Sequence, residues 1–428
     1  MSGARVLVVG GGGREHALVW RLARSPSVSA VGCAPGNAGI AQMATKTASC
    51  FPIAATDVNS LVELARRERF DLVVVGPEAA LAAGVADALA AAGIAVFGCS
   101  QAASLVESSK VYAKGLMARA GVPTARAMIV NSIDMIDKAL DVFGSARVVV
   151  KADGLAAGKG VVICEDASAA GEVIRRMFAG ELGAAGARVV LEEFLVGREA
   201  SCMALCDGES HWMLAASEDH KALLDGDRGP MTGGMGAISP TPVVSDELLA
   251  RVSREVFVPT LAALAAEGRR FRGLLYAGVM VTAEGPRVLE FNCRLGDPEA
   301  QPLLMRWHGD VAETLRMIAV GAEGKTIATP GFSMDAACSV VMAARGYPGE
   351  PERGQVIKGL DEAAAVPGAM VFHAGTRREG QDFVTNGGRV LGVCASGGDL
   401  EQARARAYDA VSRIHFDGAQ WRRDIGAR

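Results

Sequence analysis

A mixed chain, α/β at its start and α+β further on, is what this sequence predicts, and three observations predict it. Over the first hundred residues short apolar runs such as Arg5–Val9, Asp71–Val75 and Ile94–Phe97 alternate with helical patterns. Buried strands spaced by helices indicate a parallel sheet. Later strands follow each other closely, as in the predicted hairpin Leu274–Val281, Thr282–Pro286, Arg287–Phe291, which indicates antiparallel pairing. The length, 428 residues, exceeds one ordinary core and suits roughly three domains.

Composition narrows the class. Half of the residues are apolar and the formal charge is −4 with no basic block, so nucleic acid and anionic membrane are poor partners. The nine cysteines form no CxxC pair, which fits reduced, structural thiols of a cytoplasmic protein. The N-terminus reads MSGARVLVVGGGG and enters a strand directly, without a leader pattern. Ala79–Ala92 is broken by Asp87 and Gly84 and is no membrane span. A soluble protein, monomer or weak dimer, is expected.

The elements follow in order. Strand Arg5–Val9, helix Glu15–Arg24 and strand Ser29–Cys33 come first. Helix Leu61–Glu68, strand Asp71–Val75, helix Ala79–Ala92 and strand Ile94–Phe97 follow. Together they predict a Rossmann-like domain over 1–100, whose ligands bind beyond the strand ends. Gly10–Glu15, Pro35-Gly36-Asn37 and Gly76-Pro77-Glu78 follow strands and should line one crevice. A helix from Gln101 to about Arg119 carries Lys110 and Lys114 and ends at Gly121-Val122-Pro123. Residues 123–191 form a small unit, and 101–122 with 192–325 a central one with a long polar loop at Asp219–Pro240. Residues 326–428 form a C-terminal α+β module, with strands near Ser339–Ala343 and Met370–His373, a hairpin turn at Asn386-Gly387 and helix Leu400–Ile414.

The glycine loops carry the chemistry. VVGGGGREH resembles a dinucleotide fingerprint, but Glu15 stands at the third glycine position and no acid ends the second strand. A nicotinamide oxidoreductase is therefore disfavoured. What remains is an anion site made of glycine amides and a helix N-terminus, with Arg14 as a charged fork, suited to a sugar phosphate. KADGLAAGKG (151–160) follows the strand Val148–Val150, but Asp153 and Gly160 stand where a Walker A loop needs glycine and a hydroxyl. It reads as a phosphate loop with Lys151 and Lys159 as point charges, and the metal must be held elsewhere. In VLEFNCRLGDPE, period two places Glu290, Asn292 and Arg294 on one face. A carboxylate, an amide oxygen and a guanidinium suit Mg²⁺ with phosphate oxygens; Mn²⁺ accepts the same set. The stretch after Glu192 and Glu193 could present backbone to an adenine edge, with Glu199 near the ribose. SEDHKALLDGDRGPMTGGMGAISP should close over the substrates.

Taken together, GGGREHAL, APGNAG, VGPE, KADGLAAGKGV, EEFL, TGGMGA and EFNCRLGDPE resemble the phosphoribosylamine–glycine ligase family of the ATP-grasp superfamily. VMAARGYPG, VFHAGT and TNGGRVL extend the likeness over nearly the whole chain. The resemblance implies an ATP-grasp fold and ligation of glycine to 5-phosphoribosylamine through glycyl phosphate, in purine biosynthesis. It implies ATP with Mg²⁺ or Mn²⁺, the metal on Glu290 and Asn292. Lys110, Lys151 and Lys159, with Gly158, Gly160, Glu192, Glu193, Leu195 and Glu199, would hold ATP. Arg294 and Lys151 would act at the transferred phosphoryl group. Gly11, Gly13, Arg14, Glu15, Asn37, Pro77 and Glu78 would hold the sugar amine. Asp219, His220, Lys221, Thr232, Gly233, Gly234 and Met235 would close the site, beside Gly296 and Asp297. The sequence departs from the family pattern at Ala222, Met231 and Leu295, where arginine, asparagine and phenylalanine are expected.

Overall fold

The computed structural model describes residues 3–43, 49–154, 160–181, 183–321 and 327–427. Its first sheet has five strands in the order Ser49–Cys50, Val28–Pro35, Ala4–Gly10, Leu72–Val75 and Ala95–Phe97, all parallel. Val6 to Val9 are fully buried because helices cover both faces of the central strand. The predicted helix Ala79–Ala92 is instead two helices, Glu78–Ala82 and Val85–Ala91. Gly84 lies between them at φ 85°, a conformation that only glycine adopts freely. The predicted helix from Gln101 also breaks, into Leu105–Ser108 and Lys110–Ala120. Ser109 adopts extended backbone there, and its hydroxyl accepts the Tyr112 N–H. This N-cap makes Lys110 the first residue of the second helix.

An antiparallel four-stranded sheet, Ala127–Val130, Val189–Glu193, Val148–Ala152 and Val161–Cys164, packs on its own core of Ile136, Phe143, Val150, Ile174 and Leu191. A second one, His211–Met213, Arg198–Asp207, Arg272–Thr282 and Gly285–Asn292, contains the predicted hairpin. Its register shifts between Gly278 and Val279.

Two further expectations need correction. Asp219–Pro240 is not all loop: Ala222–Leu224 and Arg228–Met231 form a hairpin, and Gly236–Ser239 pairs with Glu218–Asp219 and with Ala336–Ala343. The strands within the segment are only two to four residues long, so period two has no room to show. The turn at Asn386-Gly387 does not close a hairpin either. Asp382–Thr385 pairs with Thr376–Glu379 across Gly380 and with Val356–Ile357. Arg389–Gly397 enters another sheet, between Ala336–Ala343 and Ala369–His373. Its buried run Val390–Ala395 belongs in the larger core, and that burial outweighs the local turn signal.

Helix Leu400–Arg413 backs this last sheet, and the chain then returns to the loop at Asp219–Pro240. There the fully buried Arg422 pairs with Asp227 at 2.8 Å and Asp424 at 2.7 Å, and donates to the Ala222 carbonyl at 3.2 Å. Replacing Arg422 with methionine leaves Asp424 and Asp227 without their guanidinium. A loss of about 3–5 kcal/mol is expected, read as a lower urea midpoint.

Candidate active site

A cavity of about 340 Å³ lies between the sheet holding Val148–Ala152, the helix Lys110–Ala120 and the hairpin Arg272–Thr282/Gly285–Asn292. Val106, Met117, Phe194, Leu195, Met280 and Phe291 line it with apolar surface; Lys110, Lys114, Lys151, Lys221, Glu290, Asn292 and Arg294 line it with charge and amide. An apolar slot continuous with a cationic end suits a flat heterocycle carrying a polyphosphate.

The cationic end is tied into place. Lys151 Nζ donates to the Leu289 carbonyl at 2.9 Å and pairs with Glu192 Oε2 at 3.0 Å. Lys110 Nζ donates to the Gly154 carbonyl at 3.1 Å. Burial lowers the Lys110 pKa, against the pull of Glu290. Gly160 opens the strand after the loop, its carbonyl accepting the Ala152 N–H at 2.8 Å. Gly158 and Lys159 lie outside the described residues. Glu193, although it lines the cavity, accepts the Arg126 N–H at 2.8 Å. Glu199 forms a short ion pair with Lys221.

Glu290 is the electrostatic focus. Burial alone would raise its pKa, but Lys221, Lys151, Lys110 and Arg294 outweigh burial and hold it at about 2. Lys221 Nζ stands 3.5 Å from Glu290 Oε1. Asn292 is buried beside it, and no histidine or cysteine lines the cavity among the described residues. The Glu290 carboxylate and the Asn292 amide oxygen are hard oxygen donors, of the kind that Mg²⁺ or Mn²⁺ takes together with phosphate oxygens.

Arg294 lies just past the strand end, paired with Glu107 at 2.8 Å and Glu78 at 3.1 Å. Burial opposes its charge, yet the two carboxylates hold its pKa well above the ordinary value. Burial raises the Glu107 pKa, and Glu107 also accepts the Cys293 N–H at 2.7 Å. The N-terminal glycine loop meets this cluster at one atom. The Leu295 carbonyl accepts from Arg14 Nη1 at 2.9 Å and from Arg294 Nη1 at 3.3 Å.

Arg14 itself is buried and paired with Glu15 at 2.7 Å; Glu15 in turn accepts the Gly12 N–H at 2.6 Å. Asn37 Nδ2 donates to the Gly11 carbonyl at 2.9 Å and to the His373 carbonyl at 2.8 Å. A Cβ on Gly11 would collide with the Gly36 carbonyl, which holds the two loops together. Of the residues expected at the sugar amine, Glu78 reaches the cavity lining, as does Asp297, whereas Gly11, Gly13, Arg14, Glu15, Asn37 and Pro77 do not. Pro77 N-caps the helix that Glu78 begins.

The segment Asp219–Pro240 is held by the Thr232 hydroxyl and, from outside it, by Tyr347. The Thr232 hydroxyl donates to the Lys221 carbonyl at 2.7 Å and accepts the Gly234 N–H at 3.0 Å, while the Gly233 N–H reaches the Tyr347 hydroxyl at 3.0 Å. Asp219, Lys221, Thr232 and Gly233 line the cavity, and so does Met231. Met235 is fully buried, and its N–H bonds the His220 carbonyl at 2.8 Å; both support the wall from behind. Gly296 sits against the Glu299 carboxylate. Ala222 is buried, with the Arg422 guanidinium at its carbonyl.

Several site residues carried no local signal. Arg389 pairs with Asp297 at 3.2 Å across 92 positions of sequence. Tyr276 donates to Glu299 at 2.6 Å from within an apolar strand. Glu107 lay in an unremarkable helix. Lys114 did have a signal, one turn from Lys110 on the same helix face.

Comparison with known proteins places these features in a family. Three family profiles match in order: the phosphoribosylglycinamide synthetase N domain at 4–107, its ATP-grasp (A) domain at 108–300 and its C domain at 337–428. The phosphoribosylamine–glycine ligase of Allochromatium vinosum is 51% identical over 99% of this chain and 98% of its own length. That of Caulobacter vibrioides is 47% identical over 100% and 99%. The crystal structure of the Thermotoga maritima ligase superposes with a TM-score of 0.83 at 33% identity, covering 98% of this chain and 100% of that one. A biotin carboxylase domain from Hydrogenobacter thermophilus, 17% identical with a TM-score of 0.73 over 98% and 92%, shares the fold. The chain belongs to the phosphoribosylglycinamide synthetase family, with the fold of the ATP-grasp ligases.

Proposed function

We propose that this chain joins glycine to 5-phosphoribosylamine at the expense of ATP, giving glycinamide ribonucleotide, ADP and phosphate. The observation that carries the reading is the convergence of Lys110, Lys151, Glu290, Asn292 and Arg294 on one cavity, with the N-terminal glycine loop tied beside it by the Arg14 bond to the Leu295 carbonyl. The adenine lies in the slot by Phe194 and Leu195, and Lys110, Lys151 and Lys159, flanked by Gly158 and Gly160, neutralise the phosphates. Mg²⁺ or Mn²⁺, held by Glu290 and Asn292, would offset charge on the phosphate oxygens. A glycine carboxylate oxygen attacks the γ-phosphorus, the bridging P–O bond breaks and ADP leaves. The amine of phosphoribosylamine then attacks the acyl carbon of glycyl phosphate, and inorganic phosphate departs with the C–O bond. Arg294 holds the phosphoryl and acyl oxygens as charge develops. No covalent enzyme intermediate is needed, so His16, His220 and the cysteines need not act as nucleophiles.

The division into 1–100, 101–122 with 192–325, 123–191 and 326–428 belongs to the same proposal, with the 123–191 sheet as the lid over ATP. A cytoplasmic monomer or weak dimer fits small soluble substrates. No helix among the described residues is long and apolar enough to cross a membrane.

The test is ADP release with ATP, Mg²⁺ and glycine, with and without phosphoribosylamine generated in situ. ADP that requires both partners supports the ligase. ATP binding without ADP release would redirect the reading to another carboxylate–amine pair. Arg14→Ala tests the crevice: the KM for phosphoribosylamine should rise about tenfold or more, as for loss of a charged hydrogen bond, while the KM for ATP stays put. An equal rise in both would remove the sugar phosphate from that crevice.

A further inference from the structure

Lys114 is absent from the roles above, yet it is one of the most enclosed charges in the molecule. It is 7% exposed, pairs with Glu192 Oε1 at 3.1 Å and donates to the Thr124 hydroxyl at 2.6 Å. Glu192, 2% exposed, gives its other oxygen to Lys151 at 3.0 Å. One carboxylate thus lies between two ammonium groups, and Lys151 continues to the Leu289 carbonyl. We propose that Lys114 is a positioning residue: through Glu192 it fixes where Lys151 stands and keeps Lys151 from being neutralised. The inference rests on the reading that Lys151 serves the nucleotide phosphates.

The argument is one of charge. With Lys114 charged the triad of two lysines and one carboxylate carries a net positive charge, and both lysines line the cavity. Remove the Lys114 charge and Glu192 answers Lys151 alone. The pair becomes neutral, and the field on an incoming phosphate falls. In a buried site this matters more than it would in water. The geometry also holds Glu192 still, since Thr124 anchors Lys114 and itself donates to the Val288 carbonyl at 2.6 Å.

The groups acting on Lys114 include Glu192, Lys151 and Glu193, and Lys110 is one turn back on the same helix. Burial lowers the Lys114 pKa to about 8, against the pull of Glu192. A base whose folded pKa is depressed is charged below that value and neutral above it. Nucleotide affinity should therefore weaken as pH rises through about 8.

The experiment compares wild type, Lys114→Met, Lys114→Arg and Lys114→Met/Glu192→Gln. It reads equilibrium binding of ATP with Mg²⁺ from pH 6.5 to 9.5, and kcat for ADP release. Lys114→Met should lose about 10–100-fold in ATP affinity, the scale seen when the outer partner of a metal ligand is removed, whether or not kcat falls as well. The pH limb near 8 should vanish with it. Lys114→Arg should recover most of the loss. The double variant should bind better than Lys114→Met, because removing the Glu192 charge frees Lys151 again; a merely structural lysine would give no such recovery. Unchanged nucleotide affinity in Lys114→Met, or a double variant worse than the single, would overturn the proposal. Because binding is read without turnover, failure of the glycine and sugar-amine pair to react leaves this outcome legible.

Discussion

Glu290→Ala is expected to abolish ADP release, with a fall of at least about 10³-fold in kcat, or roughly 4 kcal/mol of transition-state stabilisation. The size follows from position. Glu290 is the carboxylate on which Lys110, Lys151, Lys221 and Arg294 all act, and it is one of the two oxygen ligands assigned to the metal. Removing it takes away a ligand and leaves like charges facing each other. The fold should survive, because Glu290 is only half-buried at the cavity wall; circular dichroism and the urea midpoint check that. Turnover near the wild-type rate would sink the metal assignment. The pH dependence has a definite sign. The Glu290 pKa is depressed from 4.5 to about 2, so its stabilisation is complete above about pH 4.5 and is lost as pH falls through about 2. An activity loss between pH 5 and 6 must come from another group.

Arg294→Met is the second large effect, and it has two components. Activity should fall about 10²–10³-fold, as for a lost donor to a developing oxyanion. Stability should fall by about 3–5 kcal/mol, because Glu78 loses its partner and the buried Glu107, whose pKa burial already raises, must stay unpaired or take up a proton. Adding Glu107→Gln separates the two. The double variant should regain much of the thermal stability and none of the kcat. Recovery of kcat alongside stability would reduce Arg294 to a structural pin.

Much of this was readable beforehand, for reasons that differ by element. The parallel sheet was legible because VLVVG and LVVV are buried on both faces and leave continuous apolar runs. Glu290 and Asn292 were legible as polar positions two apart on one strand, although Leu289 and Phe291, expected on the other face, line the cavity too. Arg294 lies beyond the last strand residue and still lines the same cavity. The strands within Asp219–Pro240 were hidden by their shortness. Asn386-Gly387 misled because a turn signal says that the chain bends, not which sheet receives the next strand. Arg389 and Tyr276 were invisible because their carboxylate partners are brought to them only by the tertiary fold. Arg14 was legible as a charge beside the glycine loop, but not its engagement with Glu15 and the Leu295 carbonyl.

The strand Gly236–Ser239 has a consequence for how the polypeptide can be divided. It leaves the substrate loop and enters the sheet that Ala336–Ala343 and Arg389–Gly397 build, and Arg422 seals the loop from the far terminus. A gene fragment ending after the ATP-binding half would therefore not be a smaller nucleotide-binding protein. It would carry an unpaired, fully buried type of β-edge in solution, a template for aggregation, and its substrate loop would have lost both supports. Splitting the polypeptide for complementation or biosensor work should therefore respect that edge rather than the gap between family profiles.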